Sequence, residues 1–323
     1  PDGQDLVSQM LILKEDKGSW EFDGLNSAPI VSINRSFTAP IKLVHGETAA
    51  NRTFRMANDR DPFNRWEAGQ QFAQDILKNM ALSIELGKSP EIPVEFITAW
   101  GLGLVDPEID PAFRSLIMTL PSVETIAEAM EIVNFDAIHA ARQKLRNSLA
   151  LAHRENLQLL GETSGDGGPF EPSAEAAGKR ALGGTALGYL SRLDQGTALA
   201  LEAATAATNM TDRIAALAAL NDQPGSARDA ALKSFREEFD GQTHVLDKWF
   251  VLIATAPIPT VLQDIRQAME DPAFKLSNPN KVRALIGAFV SANPTEFHNK
   301  DGSGYSFHAE MTLSLDKINP QTT

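Results

Sequence analysis

Histidine side chains are the residues of this sequence that could hold a catalytic metal. A zinc peptidase binds its ion with the pattern H-E-x-x-H, because that spacing places both rings on one face of a helix. The chain has six histidines, and no two lie four residues apart with Glu between them: His45, His139, His153, His244, His298 and His308. His298 and His308 flank a predicted loop and could meet, but two histidines do not complete a site. The sequence therefore predicts no metal site within this chain.

Other short motifs that could support chemistry are incomplete. The run DPEID, starting at Asp106, has alternating carboxylates like the start of a calcium loop, but Pro111 stands where that loop needs glycine. Its predicted role is to cap the following helix. Gly178 and Lys179 resemble the end of a phosphate-binding loop, but Arg180 replaces the required Ser or Thr. The residues alone therefore predict no catalytic constellation.

Composition narrows the classes of protein. The 323 residues include 29 Lys and Arg against 42 Asp and Glu, giving a net charge of −13, and no cysteine. An acidic chain without a basic block is a poor nucleic-acid binder, and a chain without cysteine has no disulfide framework. The longest apolar run, 249–262, contains two prolines and is shorter than the roughly 20 residues of a membrane span. No basic-then-apolar leader follows Pro1, so we expect a cytoplasmic protein with neither nucleic-acid nor membrane partners.

Two kinds of element follow from the patterning. Residues 1–45 are rich in β-branched residues punctuated by Gly and Pro, which predicts three short strands at most. Helical periodicity dominates from Asn64 on, for example in the stripe Val282, Leu285, Ile286, Phe289 and Val290. Prolines mark predicted first helical turns, in the pairs Ser89-Pro90, Asp110-Pro111, Asn278-Pro279 and Asn293-Pro294.

The predicted fold is mainly α. Consecutive amphipathic helices of similar length, without strands between them, favour a superhelix of stacked antiparallel helix pairs, as in HEAT and ARM solenoids. We expect two domains, a remnant of a β-sandwich over 1–45 and a helical domain over 46–323. The Gly-, Ser- and Pro-rich stretch 161–173 predicts a flexible loop between two helical halves.

Five segments in order carry a family resemblance. They are NDRDPFNRWEAGQ from Asn58, LPSVETIAE from Leu120, NMTDRIAALAAL from Asn209, VLDKWFVLIATAP from Val245 and NPNKVRALIGAFVSANPTEFHNKDGSGYSFHAEM from Asn278. This series resembles the C-terminal part of bacterial aminopeptidase N, a gluzincin-type zinc alanyl aminopeptidase, in register from about Ser36 to Gln321.

The resemblance implies a domain order and a cofactor. That family has an N-terminal β domain, a thermolysin-like catalytic domain, a small β-sandwich and a helical C-terminal domain. Its zinc motif and its G-x-M-E-N motif belong to the catalytic part and do not occur in this chain. The resemblance therefore implies zinc in the parent enzyme and none in this chain. The implied partners are the catalytic and β domains of the same polypeptide, together with peptide substrates.

The resemblance also implies which residues line a substrate cavity. Arg283 matches a position that points toward the cavity near the zinc site in the family. Lys281 stands where an Arg is often found and keeps the charge without the planar fork. Gln321 resembles another cavity-facing position, and Tyr305 is a candidate for the cavity rim.

Two functions remain open on this evidence. In the first, the chain is the non-catalytic C-terminal part of a zinc aminopeptidase that removes N-terminal residues from peptides, and its helical domain caps the active-site cleft. Such a chain would be inactive alone. In the second, the chain is a stand-alone helical-repeat scaffold that binds another protein through its acidic surface.

Overall fold

The structure is a computed structural model in which helices follow one another from Ala49 to Asp316. It describes residues 10–41, 43, 46–163, 170–221 and 223–318. The mainly helical class predicted from the sequence is confirmed. Within the described residues, no helix combines the length and the apolarity that crossing a bilayer requires.

The first half of the helical region packs mainly around the long helix α2. Its helices are α1 (Ala49–Asn58), α2 (Pro62–Glu85), α3 (Val94–Val105), α4 (Pro111–Met118), α5 (Val123–Ala127), α6 (Phe135–Ala152), α7 (Arg154–Thr163) and α8 (Ala174–Leu190). Helix α2 packs against α1 and α6, while α8 packs against α4 and α7. The apolar stripe of α6 is buried as its spacing predicts, with Ile138, Ala141, Leu145 and Leu149 inaccessible to solvent.

The second half has its own core. Its helices are α9 (Gly196–Ala206), α10 (Met210–Asn221), α11 (Ser226–Glu238), α12 (Thr243–Ala254), α13 (Val261–Met269), α14 (Pro279–Val282), α15 (Ala288–Ala292), α16 (Pro294–Phe297) and α17 (Ser303–Asp316). A π-helical segment, Arg283–Gly287, joins α14 to α15 without a break. Phe289 is the centre of this core, because its ring lies 5.8 Å from those of both Phe297 and Phe307. The predicted stripe of this helix therefore faces inward.

Helix α8 connects the two halves. Leu182 and Ala186 belong to the first core, and Leu187 packs against the second. Glycine permits close approach here, since a Cβ added to Gly184 would lie 2.9 Å from the Cβ of Ala215 in α10. Helix α7 continues to Thr163, so the first three residues of the loop predicted over 161–173 are helical, and 164–169 lie outside the described residues.

The predicted strands are not found in the part of the N-terminal segment that the structure describes. The described residues of the N-terminal segment, 10–41 and 43, form coil and one 3₁₀ turn, Arg35–Phe37. Apolar side chains such as Ile12 and Val31 are 64% and 55% exposed, so they lack the neighbours that a sheet face needs. A fragment of at most three strands is marginal by itself, and β-propensity without a packing surface does not form a sheet.

Helix starts agree with the capping predictions in three of the four proline pairs. Asp110 accepts the backbone N–H of Phe113 at 3.0 Å, which confirms the capping role assigned to the DPEID run. Asn278 and Asn293 also cap helices that begin with proline. The pair Ser89-Pro90 was predicted wrongly, because the next helix begins at Val94, after Pro93. Pro93 disfavours helical backbone at the residue before it, so the helix starts only beyond that proline.

Candidate functional site

Arg283 lies on a helix whose path departs from regular α geometry. Asn278 caps this helix, Pro279 occupies its first turn, and the π segment begins at Arg283 itself. The side chain is exposed, and Nη1 lies 3.4 Å from Asn280 Oδ1 in a hydrogen bond within the helix. π-segments often accompany functional sites because they re-aim side chains. Arg283 thus presents its guanidinium to solvent, while its neighbours Val282 and Ala284 are buried.

Lys281 lies on the same helix but is engaged inside the protein. Its side chain is buried, and Nζ donates to Asp247 Oδ1 and to the Thr243 carbonyl oxygen, both at 2.6 Å. The ammonium also lies 5.5 Å from the ring centre of Phe250. These contacts tie α14 to α12, so Lys281 fixes the helix that presents Arg283. Contact between Lys281 and a substrate stays a prediction.

Tyr305 lies where the two halves of the chain meet. Its hydroxyl oxygen is 2.5 Å from His298 Nδ1. The His298 ring stacks on Phe135 at the start of α6, with centroids 4.3 Å apart and planes 8° from parallel. Lys300 Nζ lies 3.5 Å from Asp136 in the same region. We call these five residues the seam, because they join α6 to the chain around α16.

Burial and like charges perturb the ionisation of groups in and beside the seam. Burial lowers the pKa of His298 below its ordinary 6.5, because the neutral ring is the form that tolerates partial desolvation. Burial also raises the pKa of Glu296, and the carboxylates of Asp136 and Asp301 add to this, against a hydrogen bond from Asn299. Both shifts favour neutral side chains at this junction.

The predicted site residues fall into two neighbourhoods. Lys281 and Arg283 share one helix, and Tyr305 lies on α17, which packs on that helix through Phe289 and Phe307. Tyr305 is about half exposed. Gln321 lies outside the described residues. The four predicted cavity positions therefore include two accessible side chains, Arg283 and Tyr305.

A polar junction beside α2 was not predicted from the sequence. The Asp61 side chain accepts the backbone N–H and the hydroxyl of Ser36, at 2.9 and 3.0 Å. Asn64 Nδ2 donates to Ser32 Oγ and to the Ile33 carbonyl oxygen, at 2.7 and 2.9 Å. Asp61 and Asn64 both belong to the segment NDRDPFNRWEAGQ, so the concentration of polar residues in that segment was the sequence feature that could have indicated the junction. This junction attaches the N-terminal segment to the helical region.

The described histidines and carboxylates do not gather into a zinc site. Among the residues that the structure describes, no three His, Asp or Glu side chains converge as ligands of one ion would. His298 and His308 both contact the ring of Phe297, with centroid distances of 4.9 and 5.9 Å, but no third ligand joins them. No step of a reaction is therefore assigned to a metal bound by these residues.

Comparison with known proteins shows what this helical array is similar to. Aminopeptidase N of Caulobacter vibrioides is 35% identical over 318 residues, covering 98% of this chain and 36% of that protein. Aminopeptidase N of Escherichia coli is 33% identical over 317 residues, with the same coverage. The crystal structure of Legionella pneumophila aminopeptidase A in complex with aspartic acid aligns with a TM-score of 0.82 and 28% identity, covering 92% of this chain and 35% of that one. The resemblance to the C-terminal domain of aminopeptidase N is confirmed, and the chain spans about a third of these relatives.

Two family profiles match the sequence. Residues 1–46 match a family described as "Domain of unknown function (DUF3458) Ig-like fold". Residues 49–323 match a family described as "Domain of unknown function (DUF3458_C) ARM repeats". The second description agrees with the stacked helices of the structure and with the predicted solenoid. The chain therefore belongs to the DUF3458_C family of ARM-repeat domains.

Proposed function

We propose that this chain is the non-catalytic helical part of a zinc aminopeptidase that removes N-terminal residues from peptides. The observation that carries this proposal is the similarity to aminopeptidases N, which includes 98% of the chain but 36% of each relative. Because this chain holds no zinc motif, the metal and the hydrolytic chemistry belong to the remaining part of the parent protein. That part and its β domains are the proposed partners, and peptides are the proposed substrates.

The proposed role of the helical domain is to cap the active-site cleft and restrict access to it. A stack of helix pairs is a rigid support with an extended surface, which suits enclosure of a substrate chamber. The exposed apolar side chains of the N-terminal segment support contact with further domains, because such patches mark interfaces. The absence of cysteine suits a reducing compartment, so we place the parent enzyme in the cytoplasm.

Arg283 is the proposed contact for the carboxylate at the C-terminal end of a bound peptide. Its guanidinium is exposed and can form two parallel hydrogen bonds with a carboxylate. The helix beneath it is held by the buried Lys281. A fixed cation on a rigid helix would bind a free carboxylate without losing much conformational freedom. Tyr305 is proposed to lie on the rim of the same cavity.

The first experiment compares peptides that differ only in their C-terminal group. In the full-length enzyme containing this chain, Arg283→Ala should lower kcat/KM about tenfold for peptides with a free carboxylate, because a charge-assisted hydrogen bond is lost. Peptide amides should be affected little. Arg283→Lys should give a kcat/KM between those of the wild type and Arg283→Ala. Lys248→Ala, which removes an exposed cation on α12, serves as the matched control. Equal losses for acids and amides would contradict carboxylate binding by Arg283.

A second experiment tests whether peptide hydrolysis requires the remaining part of the parent protein. The isolated chain should not hydrolyse alanine p-nitroanilide, whereas the full-length protein should do so in a zinc-dependent manner. Sequencing the DNA upstream of the codon for Pro1 gives an independent check, since an open frame encoding H-E-x-x-H is expected there. Chelator-sensitive turnover by the isolated chain would overturn the proposal. A start codon directly before Pro1 would favour the stand-alone scaffold instead.

A further inference from the structure

A cavity of about 530 Å³ lies between helices α7, α8, α9 and α10. Pockets for small molecules typically measure roughly 300 to 1,000 Å³, so this volume suits a compact ligand. The cavity is separate from the residues discussed above, because none of Arg283, Lys281 and Tyr305 lines it. It is therefore a feature that the proposed aminopeptidase function leaves unexplained.

The walls of the cavity are apolar. Leu187 and Leu190 of α8 and Leu199 of α9 supply the larger side chains. Small residues form most of the remaining wall, namely Gly161, Gly183, Gly184, Ala203, Ala206, Ala207 and Ala215, and the other lining residues are polar or charged. Because the added Cβ of Gly184 would lie only 2.9 Å from Ala215, α8 and α10 already touch at one side. The space therefore cannot be closed by moving these two helices together.

Charged groups at the cavity have defined positions. Asp212, in the first turn of α10, lines the cavity, and its Oδ2 accepts Asn209 Nδ2 at 2.7 Å, which fixes the orientation of the carboxylate. Glu162 lines the same cavity from the exposed end of α7. Arg180 is buried in the wall, where Nη2 donates to the Glu171 carbonyl oxygen at 2.9 Å and the guanidinium lies over the Phe170 ring. Among the described lining residues, there are thus two carboxylates and one cation.

We propose that this cavity binds a small apolar molecule that carries a primary ammonium group. The apolar body packs against the leucine and alanine wall, and the ammonium lies at the carboxylates of Asp212 and Glu162. The ligand and the cavity have opposite charges, and the attraction between a cation and a partly desolvated carboxylate is stronger than it is in water. Asp212 needs no rearrangement to receive it, because Asn209 already holds the carboxylate in place. This inference stands independently of the proposed peptidase function.

Three probes with the same six-carbon stem test the charge preference. The full 323-residue chain is titrated with hexylammonium, hexanoate and hexanol, and binding is followed by NMR chemical shifts and by the shift in Tm. Hexylammonium should bind saturably and raise Tm, hexanol should bind more weakly, and hexanoate should bind at least tenfold more weakly than hexylammonium. Equal or tighter binding of hexanoate, or no saturable binding of hexylammonium up to 10 mM, would overturn the proposal.

Two variants locate the binding. Ala203→Leu fills the cavity from α9 and should abolish binding of hexylammonium and hexanol, whereas Ala218→Leu, on the exposed face of α10, should change neither. Asp212→Asn should weaken hexylammonium about tenfold and leave hexanol unchanged, since Asn keeps an acceptor for Asn209. Circular-dichroism melts show that each variant is folded. Unchanged hexylammonium binding in a folded Ala203→Leu chain would show that the cavity is not the site.

Discussion

The carboxylate of Asp61 holds Ser36 in a left-handed backbone conformation while it also caps α2. Ser36 has φ 56° and ψ 24°, and its N–H and hydroxyl both donate to Asp61 Oδ2. The other oxygen, Oδ1, accepts the backbone N–H of Asn64 at 2.9 Å. Asn34 and Phe37 also have positive φ, so the turn is strained at three residues that are not glycine. One side chain therefore joins a strained turn to a helix start.

Asp61→Ala should lower the free energy of unfolding by about 2–3 kcal/mol, because a helix cap and two further hydrogen bonds are lost together. Asp110→Ala is the matched control, since Asp110 caps α4 ahead of a proline and is exposed. That control should lose only about 1 kcal/mol. Urea denaturation gives both values, and equal losses would show that Ser36 gains nothing from Asp61.

Removing the buried ammonium of Lys281 should deprive Asp247 of its 2.6 Å ion pair. Lys281→Ala should destabilise the chain by about 2–3 kcal/mol, a value below that of a fully buried pair because Asp247 retains some exposure. Lys248→Ala, on the exposed side of the same α12, should change stability by less than about 0.5 kcal/mol. Denaturant unfolding of both variants is the measurement. A loss no greater than that of the control would mean that the Lys281–Asp247 contact contributes nothing.

Gly101 and Gly188 should respond in opposite directions to alanine. A Cβ on Gly101 would lie 2.2 Å from His153 Cε1, and that ring is held by Trp100 and by a 2.9 Å hydrogen bond from Nε2 to the Ile97 carbonyl oxygen. Gly101→Ala should therefore cost about 1–3 kcal/mol. Gly188→Ala, whose Cβ would lie 3.7 Å from Arg146, should stabilise α8 by up to about 1 kcal/mol. Thermal melts distinguish the two signs, and stabilisation by Gly101→Ala would contradict the packing described.

The seam should make stability depend on pH near neutrality. Because the folded-state pKa of His298 is lowered, the unfolded chain binds a proton more readily. The contribution of His298 is complete above pH about 6.5 and is lost as the pH falls through the folded-state pKa. His298→Phe keeps a ring on Phe135 and should flatten the dependence of unfolding free energy between pH 7 and pH 5. Parallel curves for this variant and the wild type would refute the assignment.

Glu296 should oppose the effect of His298 as the pH falls. Its raised pKa means that the folded chain takes up the proton more readily, so this group adds stability as the pH falls. That contribution is complete below the unfolded pKa of about 4.5 and is lost as the pH rises through the folded value. Glu296→Gln should therefore steepen the loss of stability toward acid in urea titrations. A shallower curve would show that the sign is wrong.

Local features of this fold were predictable and distant pairings were not. The caps at Asp110, Asn278 and Asn293 depend on neighbouring residues, so the sequence indicated them. The helix start predicted at Ser89-Pro90 was wrong, because Pro93 disfavours helical backbone at the residue before it. No strand forms in the described part of the N-terminal segment, because sheet formation depends on partners elsewhere in space.

In the candidate site, too, the sequence indicated individual residues but not the contacts between distant ones. The resemblance identified Arg283, and the structure shows that its side chain is exposed. No spacing rule could pair Lys281 with Asp247 in α12, because that contact depends on how two helices pack. Stacking of His298 on Phe135 joins elements still further apart in the chain. The cavity beside Asp212 also escaped prediction, since alanine-rich helices usually indicate close packing and here leave space.

The seam also has a mechanical consequence. Because His298 stacks on Phe135, a pulling force applied at the two ends of the chain passes across this contact. Nearly all of α6 and the helices α7 to α16 lie in the loop that the contact closes, so they carry little tension while it holds. The stack and the Lys300–Asp136 pair join α6 to the residues around α16 and therefore bear the load, and their rupture would release that length of chain at once.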